Sequence, residues 1–222
     1  METFGPVPCT LSVDFVQNKL KAPSRGAIEA LLPEALSLAD ARAVFAVAYI
    51  EEKGADEVVI GGRRFKSRVL RKNLDEVSRV FPAVVTIGGR LEQAADRSKD
   101  LLEKYYLDAI GNLILAEARS HLIQHLCRRF GLEKLSWMSP GSLEDWPLEE
   151  QRPLFDLLDS VSSAVGVQLT ESLLMLPRKS VSGIFFPSET TFFSCRLCPR
   201  ERCEGRKARY DEALAREYGT LK

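Results

Sequence analysis

Residues 110–131, IGNLILAEARSHLIQHLCRRFG, carry the clearest periodicity in the chain. Ile110, Ile114, Ala118, Leu122 and Leu126 follow one another every four residues, with Leu113 alongside, which is the stripe of a helix packed on a core. Arg128 and Arg129 place cations against the dipole at its C-terminal end, and Gly131 follows as a stop. This stretch predicts the second part of a helical heart between Leu91 and Phe130. Upstream, Ser24 is placed to cap a helix running to about Leu38, and Pro33 inside it predicts a kink.

Around that heart the texture is that of strands. Residues Ala43 to Ile50 form the longest apolar run and predict a buried strand, turning over Glu51–Ala55 and returning as Glu57–Ile60, where Gly61-Gly62 ends the hairpin. Ser67 to about Val80 reads as a short helix and Phe81–Ile87 as a strand. Ser136–Pro147, rich in Ser, Pro, Gly and Trp, breaks the pattern before a helix over Leu154–Val165 that stops at Gly166. Beyond it Val167–Leu169, Gly183–Phe186 and Thr191–Cys195 read as strands, and Asp211–Tyr218 as an exposed helix. Helices and strands in separate blocks predict an α+β fold.

The chain has 222 residues, with 31 basic and 31 acidic side chains. That length suits one domain with at most a small appendage. Zero formal net charge argues against a dedicated nucleic-acid binder. Eight consecutive apolar residues fall far short of the roughly 20 needed to cross a bilayer. The N-terminus lacks the basic and apolar stretches of a secretion signal, so a cytoplasmic protein is expected.

Three of the five cysteines, Cys195, Cys198 and Cys203, fall within nine residues. In a reducing compartment this clustering favours metal or redox chemistry over disulfides, and iron–sulfur over zinc. Either needs a fourth ligand, which Cys9, Cys127, solvent, substrate or a partner could supply. His121 and His125 share a helix face, but no glutamate follows His121 and no third ligand is evident; a partly exposed pair is the simpler reading. Neither glycine pair has the form of a nucleotide loop, and no nucleophile elbow occurs, so a small-molecule methyltransferase or hydrolase is disfavoured.

Val167-Gln168-Leu169-Thr170-Glu171-Ser172, Met175-Leu176-Pro177 and Ser180-Val181-Ser182-Gly183 together resemble the C-terminal signature of the reactivation domain of cobalamin-dependent methionine synthase. Ser139-Pro140-Gly141 with Asp145–Gln151, and Leu107–Gly111, resemble stand-alone versions of that domain. The likeness extends from about Ala27 to Phe193. It implies a twisted antiparallel sheet with flanking helices over residues 1–194, followed by a cysteine-containing tail over 195–222.

By resemblance, the domain binds S-adenosylmethionine against a corrinoid partner, where one electron and a methyl group restore methylcobalamin from cob(II)alamin. The implied partner is a corrinoid-binding protein, or a methionine synthase lacking its own activation domain; a corrinoid domain has no room in this chain. The implied ligand residues are Trp137, Ser139, Pro140, Gly141, Ser142, Glu171, Phe192 and Phe193. The family carries an arginine where this chain has Trp137, a tyrosine where it has Ser142, and two tyrosines where it has Phe192 and Phe193. These departures predict weak S-adenosylmethionine binding or none, since tryptophan cannot meet a carboxylate bidentately. A cluster at Cys195, Cys198 and Cys203 would supply the reactivating electron. The alternative is a non-catalytic binding or assembly module for a corrinoid methyltransferase, with a structural metal in the tail.

Overall fold

The computed structural model describes residues 1–203 and 205–220. The N-terminal part holds β1 (Glu2–Phe4), α1 (Val13–Leu20), α2 (Arg25–Leu38), β2 (Arg42–Phe45), β3 (Ala48–Lys53), β4 (Glu57–Ile60), β5 (Arg63–Lys66), α3 (Arg68–Asn73) and β6 (Arg79–Thr86). The helical centre is α4 (Arg90–Arg97) and α5 (Leu101–Phe130). Then follow β7 (Leu135–Met138), α6 (Gln151–Asp156), α7 (Val161–Val165), β8 (Gln168–Leu169), β9 (Met175–Leu176), β10 (Ser180–Pro187) and α8 (Glu212–Glu217). This is an α+β fold, as the segregated blocks predict.

β6 organises the sheet. β10 pairs with it along Phe81–Thr86 on one side, while β2 (Ala83–Thr86) and β3 (Arg79 and Val80) share the other. β1 extends the sheet beyond β2, β7 beyond β10, and the β3–β4–β5 meander forms a third arm. All these pairings are antiparallel, giving an eight-stranded sheet among the described residues.

Alternate residues of a strand face opposite sides, and here both sides are covered. Phe81, Ala83 and Val85 of β6, Ala43 and Phe45 of β2 and Phe185 of β10 join the core beneath α5 and α2. Val80, Ile184 and Phe186 face a second core with Met138, Phe65, Val69, Leu70, Leu74 and Trp146. Val44 and Val84 meet Leu158, Val161 and Val167 in a third, smaller cluster.

α5 is 30 residues long, about 45 Å at 1.5 Å per residue. Its buried positions include the stripe Ile110, Ile114, Ala118, Leu122 and Leu126. Asp100 caps its start through the Leu102 and Glu103 amides, and Gly131 ends it in the left-handed region. The helical heart is thus two helices, α4 and α5, separated at Ser98–Asp100. Ser24 caps α2 through Ala27 N–H, and the helix runs through Pro33, whose side is exposed to solvent.

Several expected elements differ. The Ala43–Ile50 run divides at Ala46-Val47 into β2 and β3, which pair with different stretches of β6. Gly61-Gly62, both at positive φ, does not end the meander but turns it into β5, with Ile60 opposite Arg63; two left-handed residues suit a two-residue hairpin. The helix from Ser67 stops at Asn73, because Arg79 already enters β6. Leu154–Val165 is broken between α6 and α7, with Asp159 at φ 43°. Thr191–Cys195 forms no strand: Phe192 N–H donates to the Ser136 hydroxyl (2.7 Å), and a 3-10 turn begins at Ser194. No helix among the described residues is long and apolar enough to cross a membrane.

The C-terminal segment returns to the second core through Leu197 and Ala215, buried in it, and Leu214 and Tyr218, packed on it. Asp211 caps α8 through Leu214 N–H (3.0 Å) and pairs with Arg196 (2.6 Å). Residues 221 and 222 of the expected tail lie outside the described residues.

Candidate functional site

The site is built where β7 ends against β10 and the chain returns through residues 191–196. Trp137 lies opposite Phe185, so its side chain shares the α5 side of the sheet with that ring. The two rings stack with centroids 5.6 Å apart. This arrangement depends on Gly183: a Cβ there would come within 3.0 Å of the Met138 carbonyl oxygen and 2.9 Å of the Trp137 ring. The Arg119 guanidinium also sits over the indole, 4.3 Å from the ring centroid. A guanidinium is therefore present at the residue that stands in place of the family's arginine, but α5 supplies it.

The loop after β7 is tied by its own polar groups. Ser139 Oγ donates to the Ser182 carbonyl (2.6 Å), and Ser142 Oγ donates to the Ser139 carbonyl (2.7 Å). Gly141 N–H donates to the Trp146 carbonyl (2.7 Å), closing the turn through Pro140. Ser142 Oγ lies 3.5 Å from Ser194 Oγ, which brings this turn beside the aromatic pair. Phe192 stacks on Tyr218 with centroids 6.0 Å apart, and Phe193 is half-buried next to it. Ser139, Pro140, Gly141 and Ser142 thus lie beside Phe192 and Phe193 at the end of β7, whereas Trp137 faces the α5 side of the sheet and Phe192 packs on the second core.

Glu171 does not join them. It lies on the 170–174 turn, exposed, with its backbone carbonyl accepting from Arg152 of α6 (3.1 Å). α6 also supplies Gln151, whose Nε2 donates to the Leu173 carbonyl (2.9 Å) and whose Oε1 accepts from Ser182 Oγ (3.0 Å). Ser182 shares a sheet face with Ile184 and Phe186, opposite to Trp137. Asp145 accepts from Ser67 Oγ and from Val69 N–H (2.9 Å), fastening the loop to the start of α3. Glu150 accepts from Lys66 N–H (3.1 Å); burial raises its pKa, against that hydrogen bond. The polar atoms of Asp145, Glu150, Gln151, Ser180 and Ser182 are used within the protein, Gln151 and Ser182 joining the two family-like segments and the others bonding to α3, β5 and β6 or the turn before β10.

The three clustered cysteines are not assembled as a ligand set. Among the described residues no group of three or more His, Cys, Asp or Glu side chains is placed to hold a metal ion. The loop is instead organised by Arg206, whose guanidinium donates to the carbonyls of Cys195 (3.2 Å), Ala208 (3.2 Å), Cys198 (3.4 Å) and Arg200. Next to it, Lys207 N–H points to Cys195 Sγ (3.4 Å). His121 lies 4.0 Å from Glu117, and His125 stacks on Phe4 with centroids 4.5 Å apart, so this pair is used in packing and surface contacts.

Two cations here carried no sequence signal strong enough to select them. Burial lowers the pKa of Arg119. Burial, then the charge of Arg119, lowers that of Lys207, with Cys195 acting in the opposite sense. Arg119 lies immediately after Ala118 of the apolar stripe, a position where a charge facing solvent and a charge turned over the sheet edge look alike.

The family described as vitamin B12 dependent methionine synthase, activation domain, matches residues 143–211. That segment includes Glu171, Phe192, Phe193 and all three clustered cysteines, and runs past the aromatic pair at which the likeness was expected to end. Trp137 to Ser142 lie outside it. No curated protein matches the chain. Among solved structures, one described as "Crystal Structure of the MetH Reactivation Domain bound to AdoHcy" matches with a TM-score of 0.54 at 17% identity. It covers 81% of this chain and 68% of that one. This chain therefore resembles the activation domain of vitamin B12-dependent methionine synthase, in sequence pattern over residues 143–211 and in fold over most of its length.

Proposed function

We propose that this protein docks on a corrinoid protein, or on a methionine synthase, and supports its reductive reactivation. The observation that carries this reading is the coincidence of the activation-domain sequence match with the reactivation-domain fold. The chain's own part is binding and positioning, because a methyl group reaches a metal centre productively only when donor and acceptor are held close and aligned. S-adenosylmethionine is the methyl donor that the resemblance implies, and the matched structure holds S-adenosylhomocysteine. Trp137 and Ser142 stand at two of its polar anchor positions, so its affinity is expected to be low. Calorimetry giving a micromolar Kd would overturn that expectation.

Among the described residues the Cys195, Cys198 and Cys203 thiols are not gathered as a metal site, so holding a metal there would require the loop to rearrange. Metal and sulfide analysis of anaerobically purified protein tests that separately. The second reading, a non-catalytic docking module, is favoured by one observation: the Ser139 and Ser142 hydroxyls already donate to protein carbonyls, of Ser182 on β10 and of Ser139. A single assay separates the two. A corrinoid protein poised as cob(II)alamin, with reductant and S-adenosylmethionine, is followed by absorbance with and without this chain. Faster return to methylcobalamin supports reactivation; binding without acceleration supports the docking module; neither refutes both.

A further inference from the structure

Cys195 and Cys198 are partly buried free thiols at the two ends of one turn. Three successive amide-to-carbonyl bonds wind residues 193–198: Arg196 to Phe193 (2.9 Å), Leu197 to Ser194 (3.0 Å) and Cys198 to Cys195 (3.4 Å). In a 3-10 winding each residue rises about 2.0 Å and side chains three apart eclipse, so the two Cα atoms stand roughly 6 Å apart with their Cβ bonds on one side. A disulfide needs Cα atoms about 4.4–6.8 Å apart and side chains that face each other. The turn therefore meets the backbone condition for a bridge between its own ends. One guanidinium fixes that span: Arg206 Nη1 donates to the Cys195 carbonyl (3.2 Å) and its Nη2 to the Cys198 carbonyl (3.4 Å). Leu197, between the two cysteines, is buried in the second core and anchors the turn. Lys207 N–H donates to Cys195 Sγ (3.4 Å). Accessible sulfurs in such electropositive surroundings are the ones that exchange.

We propose that Cys195 and Cys198 form a dithiol–disulfide site that exchanges with small soluble disulfides of the glutathione type. Cys195, whose sulfur has the Lys207 amide to accept from, attacks one sulfur of the small disulfide as its thiolate; a mixed disulfide forms and one small thiolate leaves. The Cys198 sulfur then attacks Cys195 Sγ, closing the bridge and releasing the second small thiol. In all, two protein thiols lose two electrons and two protons, and one small disulfide becomes two thiols. The reverse reaction makes the loop a two-electron donor. The site stands on the turn and its Arg206 contacts, and on no assumption about corrinoid chemistry. It gives the paired cysteines a chemistry that needs no metal.

The test equilibrates the reduced full chain with glutathione and glutathione disulfide at a series of ratios, quenches by alkylation and maps the tryptic peptides. Cleavage after Arg196, Arg200 and Arg202 puts Cys195, Cys198 and Cys203 on three separate peptides, so each bridge is read directly. The Cys195–Cys198 bridge should form in the native chain and revert with dithiothreitol. Its equilibrium constant should exceed by about ten-fold the value in urea, where the spacing remains but the hydrogen-bonded turn does not. Arg206→Gln should lower the constant towards the urea value, and Cys198→Ser should stop the exchange at a glutathione adduct on Cys195. The wild-type comparison with urea stands even if a variant fails to fold. A native constant no higher than in urea, a dominant bridge to Cys203, or all three cysteines alkylated at every ratio overturns the site. So does zinc or iron held by these thiols in the purified reduced chain.

Discussion

Adding one methyl group to β10, through Gly183→Ala, should separate β7 from the sheet. The new Cβ would lie closer than 3.0 Å to the Met138 carbonyl oxygen, and 2.9 and 3.1 Å from two carbons of the Trp137 ring. Ordinary contact begins near 3.4 Å, so the ring must withdraw by about 0.5 Å, and the carbonyl by more. The ring is held by Arg119 above it, and the carbonyl belongs to a strand paired with β10 over Ile184–Pro187. Overpacking of this kind costs about 1–3 kcal/mol, and a backbone obstacle puts Gly183→Ala at ~2–3 kcal/mol. For a chain of this size each kcal/mol moves Tm by roughly 2–4 °C, so the melt should fall by about 4–12 °C. Thermal unfolding by circular dichroism measures this, and fluorescence reports whether Trp137 has moved. Trp137→Ala in the same chain removes the ring overlap but not the carbonyl overlap, so the double variant should recover only part of the loss. A Tm within about 2 °C of wild type, or full rescue by Trp137→Ala, would refute the packing described here.

Asp145→Ala should cost about 1–2 kcal/mol in urea unfolding, because the Ser67 hydroxyl and Val69 N–H both lose their acceptor; an unchanged midpoint would mean that α3 does not need this tie. The Cys9 thiol is pushed up to about 11 by burial, then by Glu117, against an ordinary value of 9.0. At pH 8 it should hold roughly 100-fold less thiolate than an unperturbed thiol, so peptide mapping after brief alkylation should leave Cys9 unmodified in the native state; labelling as fast as in denaturant would contradict it. Burial raises the Glu150 carboxyl pKa, so its ionised form is disfavoured in the fold, and ionisation weakens the native state as pH climbs through the ordinary value to the raised one. Glu150→Gln keeps an acceptor for Lys66 N–H and should therefore be at least as stable as wild type at pH 7, with the difference vanishing in acid; a variant less stable at pH 7 would refute this.

The part of the fold that could be read from residues is the part whose periodicity is one-sided. α5 buries a single stripe, so its four-residue spacing is plain, and its glycine stop has a local physical cause. β6 is buried on both faces from Val80 onward, which reads as a strand but gives no alternation to say which residues face α5. β7 was hidden because Leu135–Met138 sits in a segment of Ser, Pro, Gly and Trp, where turn chemistry masks a four-residue strand. Thr191–Cys195 misled for the opposite reason: its aromatic content suits a strand, but its amide at Phe192 is satisfied by the Ser136 side chain. Of the site residues, those adjacent in sequence converge, while Glu171 was carried along by a motif whose polar atoms hold α6 and β10 together.

Arg119 shows why a motif-based reading stops short at this corner. It belongs to none of the glycine- and serine-containing stretches, and its place on Trp137 needs separate pieces of chain. α5 must place Arg119 over the indole, and Gly183 must leave room for that ring against β10. The C-terminal segment is held by separate contacts: Arg196 with Asp211, Tyr218 Oη on Asn73 (3.2 Å), and Phe192 stacked on Tyr218. Loosening Tyr218 should release the C-terminal helix while leaving the indole contact of Arg119, which α5 holds independently, in place. The Arg119 contact depends on the helical stripe, the plainest signal in the sequence, whereas the tail depends only on the folded return of the chain onto the second core.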